Sequence, residues 1–314
     1  MNIAAVVIGR NEGPRLIACL AALQGQLDQI IYVDSGSTDG SVAAAHSVGA
    51  KVIALDMSQP FSAARARNAG VAALSDDVDL VQFLDGDCAL REGWIATAAG
   101  FLARHPQVAV VCGRRRERFP EASVYNALID REWDTPIGQT LACGGDALMR
   151  VAPLRAAGGY REGLIAGEEP ELCLRLRQQG WHIWRLDAEM SWHDAEIMRI
   201  GQWWKRSQRA GHAFAEGAAL HGAGPERHWV GETRRALIWG AVLPVAVLVL
   251  AVVLSPWALL LVLVYPLQVL RLARRGGRAW ACFTTLAKFP EALGALQYFL
   301  RRIAGRNSKI IEYK

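Results

Sequence analysis

The first 87 residues alternate between short apolar runs and helix-like stretches, and that alternation leaves few folds open to the chain. Apolar residues concentrate at 1–8, 30–33 and 51–55 in the manner of buried strands, while 13–23, 40–47 and 61–74 carry helical spacing. Strands that each return through a helix of this length specify a doubly wound, mostly parallel α/β sheet of the Rossmann-like kind. A further strand follows, in which Leu80, Val81, Phe83 and Leu84 run directly into Asp85, Gly86 and Asp87. Open sheets of this type bind ligands beyond the carboxyl ends of their strands. Those ends bring together Arg10, Asn11 and Glu12 after the first strand, residues 34–40 after the second, and the Asp85/Asp87 pair.

Side chains two apart in an extended segment point the same way, and Gly86 lets the backbone between the carboxylates bend. Hard oxygen ligands of this sort suit Mg²⁺ or Mn²⁺ with positions left over for the phosphates of a nucleotide. An ordinary turn would use the same three residues.

Five blocks then give the chain a family likeness: Val-Ile-Gly-Arg-Asn-Glu at 7–12, Val-Asp-Ser-Gly-Ser-Thr-Asp-Gly at 33–40, Ala-Arg-Asn-Ala-Gly at 66–70, Leu-Asp-Gly-Asp at 84–87 and Gly-Glu-Glu-Pro-Glu-Leu at 167–172. In that order the chain resembles the family 2 glycosyltransferases over residues 1–215. The resemblance implies the GT-A fold and inverting transfer of a sugar from a nucleotide diphosphate. It assigns Asp34 to the uracil imide, Arg67 and Asn68 to donor contacts, Asp87 to the metal, and Asp85 to ribose or metal-bound water. Arg10, Asn11 and Glu12 complete the expected donor set. Asp34 is also typed as a helix cap, a task that suits Asp39 better.

Glu168 and Glu169 precede Pro170, which is well typed to open a helix ending at Gly180. Acidic residues at a helix start complement its dipole. A positioned carboxylate there can equally accept the proton of an attacking hydroxyl. Family members usually carry Glu-Asp here with the second residue as base; this chain has Glu169 in that position, and the choice between Glu168 and Glu169 stays open. Gly144, Gly145 and Asp146 match the family's acceptor-site floor, where paired glycines admit close approach, although a plain turn would read the same. His193, beside Trp192 in the last expected strand, completes the metal site in several relatives; a buried structural histidine is the alternative. Lys205, Arg206 and Arg209 recur at helical spacing and suit a donor diphosphate or a lipid phosphate. The run Arg114, Arg115, Arg116 and Arg118 reads as a solvated loop or a patch for anionic lipid.

The second half changes solvent. Residues 236–254 form an unbroken apolar run, and another continues over 257–270. Arg234 and Arg235 precede the first, while Arg271, Arg274, Arg275 and Arg278 follow the second, which puts both ends in the cytoplasm. The expected organisation is a GT-A domain at 1–215, a linker at 216–235, a transmembrane hairpin at 236–272 and an amphipathic interfacial helix at 279–304, with a short tail to 314. The second run is short for a full span, which keeps a re-entrant helix open. A net charge of +5, from arginines flanking apolar runs, suits anionic lipid, and no nucleic-acid module is evident. Six cysteines form no Cys-x-x-Cys pair and read as free cytosolic thiols; no signal peptide precedes the first strand.

Together these features predict a metal-dependent transferase at the cytoplasmic face of a bacterial inner membrane, using Mg²⁺ or Mn²⁺. It would move a sugar from a nucleotide donor, UDP-linked by preference, to a polyprenyl-linked or glycan acceptor in cell-surface polysaccharide assembly. The rivals are a membrane scaffold with an inactive transferase domain and a sugar-phosphate nucleotidyltransferase, whose Gly-rich basic first loop is missing at 9–13.

Overall fold

The computed structural model describes residues 1–27, 29–305 and 311, so the tail to 314 lies outside the described residues apart from Ile311. Two compact units emerge. The first comprises Met1–Gly163 and Glu168–Glu196; the second comprises Leu164–Gly167 and Ile197–Lys314.

The first unit begins with β1 (Asn2–Gly9), α1 (Pro14–Leu23), β2 (Gln29–Asp34), α2 (Ser41–Ser47), β3 (Lys51–Ala54), α3 (Ala63–Ala72) and β4 (Val78–Asp85). It continues through β5 (Cys88–Leu90), α4 (Trp94–Arg104), β6 (Val108–Glu117), α5 (Val124–Glu132), β7 (Gly138–Thr140) and β8 (Ala147–Arg150). It closes with α6 (Val151–Ala156), α7 (Glu168–Gln178) and β9 (His182–His193). The sheet order is β3-β2-β1-β4-β8-β6-β9-β5, with β7 on β9. The expected doubly wound sheet is present, and its 3-2-1-4 portion is wholly parallel. Beyond β4 the sheet is mixed, because the short β8 runs antiparallel to both β4 and β6.

Register sets the site. Gly9 pairs with Asp34 on one side of β1, and Ile8 pairs with Asp85 on the other. The strand order reverses around β1, so both aspartates flank the crevice at the switch point. Val6 and Val7 of β1 are wholly buried, and α3 lies so close above that a Cβ on Gly70 would stand 2.3 Å from Val6 Cγ1. That approach accounts for the glycine in the Ala-Arg-Asn-Ala-Gly block. The helix expected to open at Pro170 starts two residues earlier, at Glu168, with the proline still in the first turn, where no intrahelical N–H is needed.

The second unit is helical: α8 (Ile200–His221), α9 (Val230–Leu237), a π-helical turn (Ile238–Val242), α10 (Leu243–Val253), a 3₁₀ segment (Pro256–Leu263), α11 (Val264–Gly276), α12 (Arg278–Leu286) and α13 (Lys288–Ile303). Helix α8 belongs wholly to this unit, so the division falls after Glu196 rather than at 215, and the expected linker is partly helix. The reason is close packing on α13. A Cβ on Gly294 would stand 1.9 Å from Gln208 O, and one on Gly211 2.0 Å from Glu291 O. Val230–Val253 and Pro256–Gly276 are long and apolar enough to cross a bilayer. The expected interfacial helix is broken in two near Ala287, and its second half turns Ala292, Gly294 and Ala295 inward, leaving Leu293, Leu296, Leu300 and Ile303 exposed.

Candidate active site

The loops after β1 and β2 brace each other. Asn11, held at φ 55°, accepts from Thr38 N at 2.7 Å and donates its own N–H to Ser37 Oγ at 2.9 Å. Glu12 pairs with Arg15 at 3.0 Å, and Arg10 is exposed. Asp34 is buried; one of its oxygens accepts from Gly36 N and Ser37 N, both at 3.0 Å, and the other from the Tyr32 hydroxyl. It therefore organises its own turn. Asp39 takes the capping task, accepting from Ser41 N at 2.9 Å, and the Ser41 hydroxyl and N–H hold its carboxyl below the usual range.

Arg67 is the hub of the site. Only 2% exposed, it donates to Asp85 Oδ1 and Glu168 Oε1, both at 2.8 Å, and lies 2.9 Å from Glu169 Oε1. A guanidinium with its planar fork can serve three carboxylates at once, and their charge holds it firmly protonated despite burial. Arg67 thus ties the end of β4 to the start of α7, a task the sequence did not reveal. Asn68, expected at the donor, spends its amide on Tyr160 O, Tyr160 N and Glu162.

On the other side of Asp85 lies Arg115 of β6, at 3.4 Å, with its guanidinium 4.5 Å over the Trp133 ring and 3.6 Å from Asp146. Asp146 is buried, accepting from Ser191 Oγ at 2.6 Å and from Asp85 N at 3.3 Å. Its place is therefore beneath the site, as an anchor, rather than at an open acceptor face. The paired glycines are likewise approached from within: a Cβ on Gly144 would stand 2.4 Å from the Trp133 ring, and one on Gly145 2.6 Å from Arg67. The arginine run expected as a loop or lipid patch is strand β6, with Arg114 and Arg115 buried and Arg114 paired to Asp130. The apolar residues 108–112 leading into it were the available signal.

Asp87 and Asp85 diverge. Strand β4 ends at Asp85, and the turn before β5 aims Asp87 at the end of β9, where its Oδ2 lies 3.7 Å from His193 Nε2. Glu117, a buried residue absent from the expected set, stands 3.0 Å from His193 Nδ1 and also accepts from Ala195 N. The contact with His193 is one of distance and charge rather than of hydrogen-bond geometry, and a carboxylate behind one imidazole nitrogen favours a ring whose other nitrogen faces a metal. Cys88 joins this corner with Sγ 3.4 Å from Asp87 Oδ1, and burial above all pushes its thiol up. Asp87, Cys88 and His193 are all buried, with ligand atoms within 4.8 Å of one another. Such a donor set suits a divalent cation. Asp85 groups instead with Cys88 and Asp146.

The two candidate bases differ. Glu168 is 5% exposed and Glu169 14% exposed. Burial and the neighbouring Glu168 carboxylate raise the Glu169 pKa to about 7, against the pull of Arg67. Lys205, Arg206 and Arg209 stand on α8 in the second unit, where Arg209 donates to Ile165 O at 3.0 Å.

The parallel half of the sheet thus offers a ligand crevice at its switch point, beside which stand a carboxylate–imidazole corner and a near-neutral glutamate. Residues 5–153 match the family model for Glycosyl transferase family 2, the family that the five sequence blocks resemble. The chain is 28% identical to the pre-mycofactocin glycosyltransferase of Mycobacterium tuberculosis, over 70% of this chain and 48% of that protein. It is also 28% identical to the succinoglycan biosynthesis protein ExoA of Rhizobium meliloti, over 56% of this chain and 58% of that one. A TPR repeat-containing protein of Synechococcus elongatus is 38% identical, over 66% of this chain and 44% of its own length. The chain thus spans about half the length of the curated relatives it matches.

Proposed function

We propose that the chain is an inverting, metal-dependent glycosyltransferase that moves a sugar from a nucleotide diphosphate donor to an acceptor hydroxyl at the cytoplasmic membrane face. The observation that carries this is the Arg67 bridge, which joins the strand end bearing Asp85 to Glu168 and Glu169 while Asp87 and His193 stand two residues and one strand away. Asp87 and His193 would hold a divalent cation such as Mg²⁺ or Mn²⁺, which when bound offsets the charge on the leaving diphosphate.

Glu169 is the base. Its pKa of about 7 lets a large fraction be ionised near neutrality while remaining basic enough to take a proton. The acceptor hydroxyl loses its proton to a Glu169 oxygen as its own oxygen bonds to the anomeric carbon. The bond from that carbon to the diphosphate oxygen breaks on the opposite side, and the nucleoside diphosphate departs with the electron pair. Arg67 holds the Glu169 carboxylate in place throughout.

An acceptor carried on a polyprenyl lipid, within polysaccharide or other cell-surface glycan assembly, is supported by the second unit. Two helices there have the length and composition of membrane spans, and α13 presents a leucine face. A relative named for succinoglycan biosynthesis points the same way. The arginines flanking the spans favour an inner membrane with the site on the cytoplasmic side. Lys205, Arg206 and Arg209 are the proposed lipid- or diphosphate-phosphate contacts.

The test is nucleoside diphosphate release by the detergent-purified chain from UDP-, GDP- and dTDP-sugars, with Mg²⁺ or Mn²⁺ and bacterial lipid extract. Turnover with one donor, abolished by chelator and by Asp87→Ala, is the expected result. Nucleotide binding without turnover across the panel would make the domain a scaffold.

A further inference from the structure

Cys88 is the one residue common to both donor groups of the site, the one with Asp87 and His193 and the one with Asp85 and Asp146. Its position follows from sheet register. Cys88 opens β5 directly opposite His193 in the antiparallel β5/β9 pair, and directly opposed residues project to the same face. Its Sγ therefore shares a side of the sheet with the imidazole while lying 3.4 Å from Asp87 Oδ1. The other buried thiols of this unit have other neighbours: Cys19 faces the Asp85 carbonyl, Cys112 the Trp184 carbonyl, and Cys143 and Cys173 face each other at 3.6 Å. Cys88 alone among them faces a carboxylate and an imidazole together. A small crevice lined by Arg15, Asp87, Cys88, Arg118, Trp192 and Asp194 leads to it.

We propose that Cys88 is itself a metal ligand, making the site a carboxylate–thiolate–imidazole one that takes a borderline cation such as Zn²⁺ or Co²⁺ in preference to Mg²⁺. This rests on the metal-dependent reading above. Thiolate sulfur is a soft donor, so its presence shifts selectivity away from Mg²⁺, which demands oxygen, toward the later first-row ions. Asp87 and His193 would supply the oxygen and the Nε2 nitrogen, with the Glu117 carboxylate 3.0 Å behind Nδ1. Binding would displace the thiol proton to solvent.

The probe is Co²⁺ alone, added to the full detergent-purified chain and followed by absorption spectroscopy. Wild type is expected to show visible ligand-field bands together with a near-ultraviolet sulfur-to-cobalt charge-transfer band. Cys88→Ser should keep the former and lose the latter, and Cys282→Ser should keep both. Zn²⁺ affinity of Cys88→Ser should fall, relative to Mg²⁺, by at least roughly the tenfold that losing even an outer-shell partner costs. Ligand-field bands in wild type without the charge-transfer band would overturn the thiolate ligand and leave the metal-dependent reading intact. A charge-transfer band that survives in Cys88→Ser would also overturn it. Failure of wild type to bind Co²⁺ any better than Asp87→Ala would overturn both. The wild-type spectrum decides the first question even if Cys88→Ser does not fold.

Discussion

Glu169 sets two pH dependences of opposite sign. As a base it must be ionised, so turnover should rise as pH increases through about 7. Its folded-state pKa lies above the roughly 4.5 or less of an unfolded glutamate, so folding is favoured by protonation. That stability is present below the unfolded value and lost as pH climbs from there through about 7. Glu169→Gln removes both dependences. Its turnover should fall about 10²- to 10⁴-fold, while its melting temperature at pH above neutrality rises relative to wild type. A melting temperature unchanged across the pH series would refute the buried-carboxylate account. At the metal corner, Glu117→Gln should weaken divalent-ion affinity about 10- to 100-fold, read by metal titration, with nucleotide binding in the absence of metal unaltered. Asp87 stood out in the sequence because an apolar strand runs into it, and His193 entered only through the family resemblance. Glu117 stood out in neither way, because it closes an arginine run whose burial depends on partners such as Asp130, Asp146 and Trp133, all distant in sequence.

Among the elements, the parallel half of the sheet could be read directly, since its strands are mostly apolar and β1, β2 and β3 are each followed by a helix. The mixed half could not. Strand β8 has four residues and acquires its place only by pairing with β4 and β6, which no local pattern announces. The helical unit shows a related limit. Apolar spacing along α13 was legible, but which face packs was not: the leucines lie outside, and the small residues Gly294 and Ala295 make the contact. This arrangement gives a paired prediction. Gly294→Ala gains helix propensity of up to about 1 kcal/mol but drives a Cβ to 1.9 Å from Gln208 O, a backbone atom that cannot rotate away. Overpacking of this kind costs about 1–3 kcal/mol, so thermal stability should fall. Gly201→Ala, in the first turn of α8 with nothing within 4 Å of the added carbon, should leave it equal or raised. Thermal melts of the two variants in detergent decide the matter, and equal effects would mean that α8 and α13 do not meet in this way.

For the whole molecule, membrane topology turns on the path of the chain between Arg235 and Arg271. The helical stretch Val230–Val253 is 24 residues long and can span a hydrocarbon core of about 30 Å at 1.5 Å per residue. The stretch Pro256–Gly276 has 21 residues, but its basic last turn shortens the apolar part. The two are held together at one level by the Tyr265 hydroxyl, which donates to Trp239 O at 2.5 Å. Side chains over the break, including Leu254 and Trp257, are strongly exposed, as expected of residues that meet lipid or its interface rather than a protein core. On the proposed topology the arginines on both flanks keep the ends on the side where the nucleotide donor is made, and the turn at Ser255 and Pro256 should then reach the opposite face. In a Cys282→Ser background, Ser255→Cys should react with a membrane-impermeant maleimide added outside intact spheroplasts, while Arg275→Cys should react only after permeabilisation. A Ser255→Cys thiol that reacts from neither side would place the turn within the bilayer and make the second stretch re-entrant. One that reacts only after permeabilisation would mean that neither stretch crosses, leaving the exposed leucine face of α13 and the flanking arginines to hold the protein at the surface.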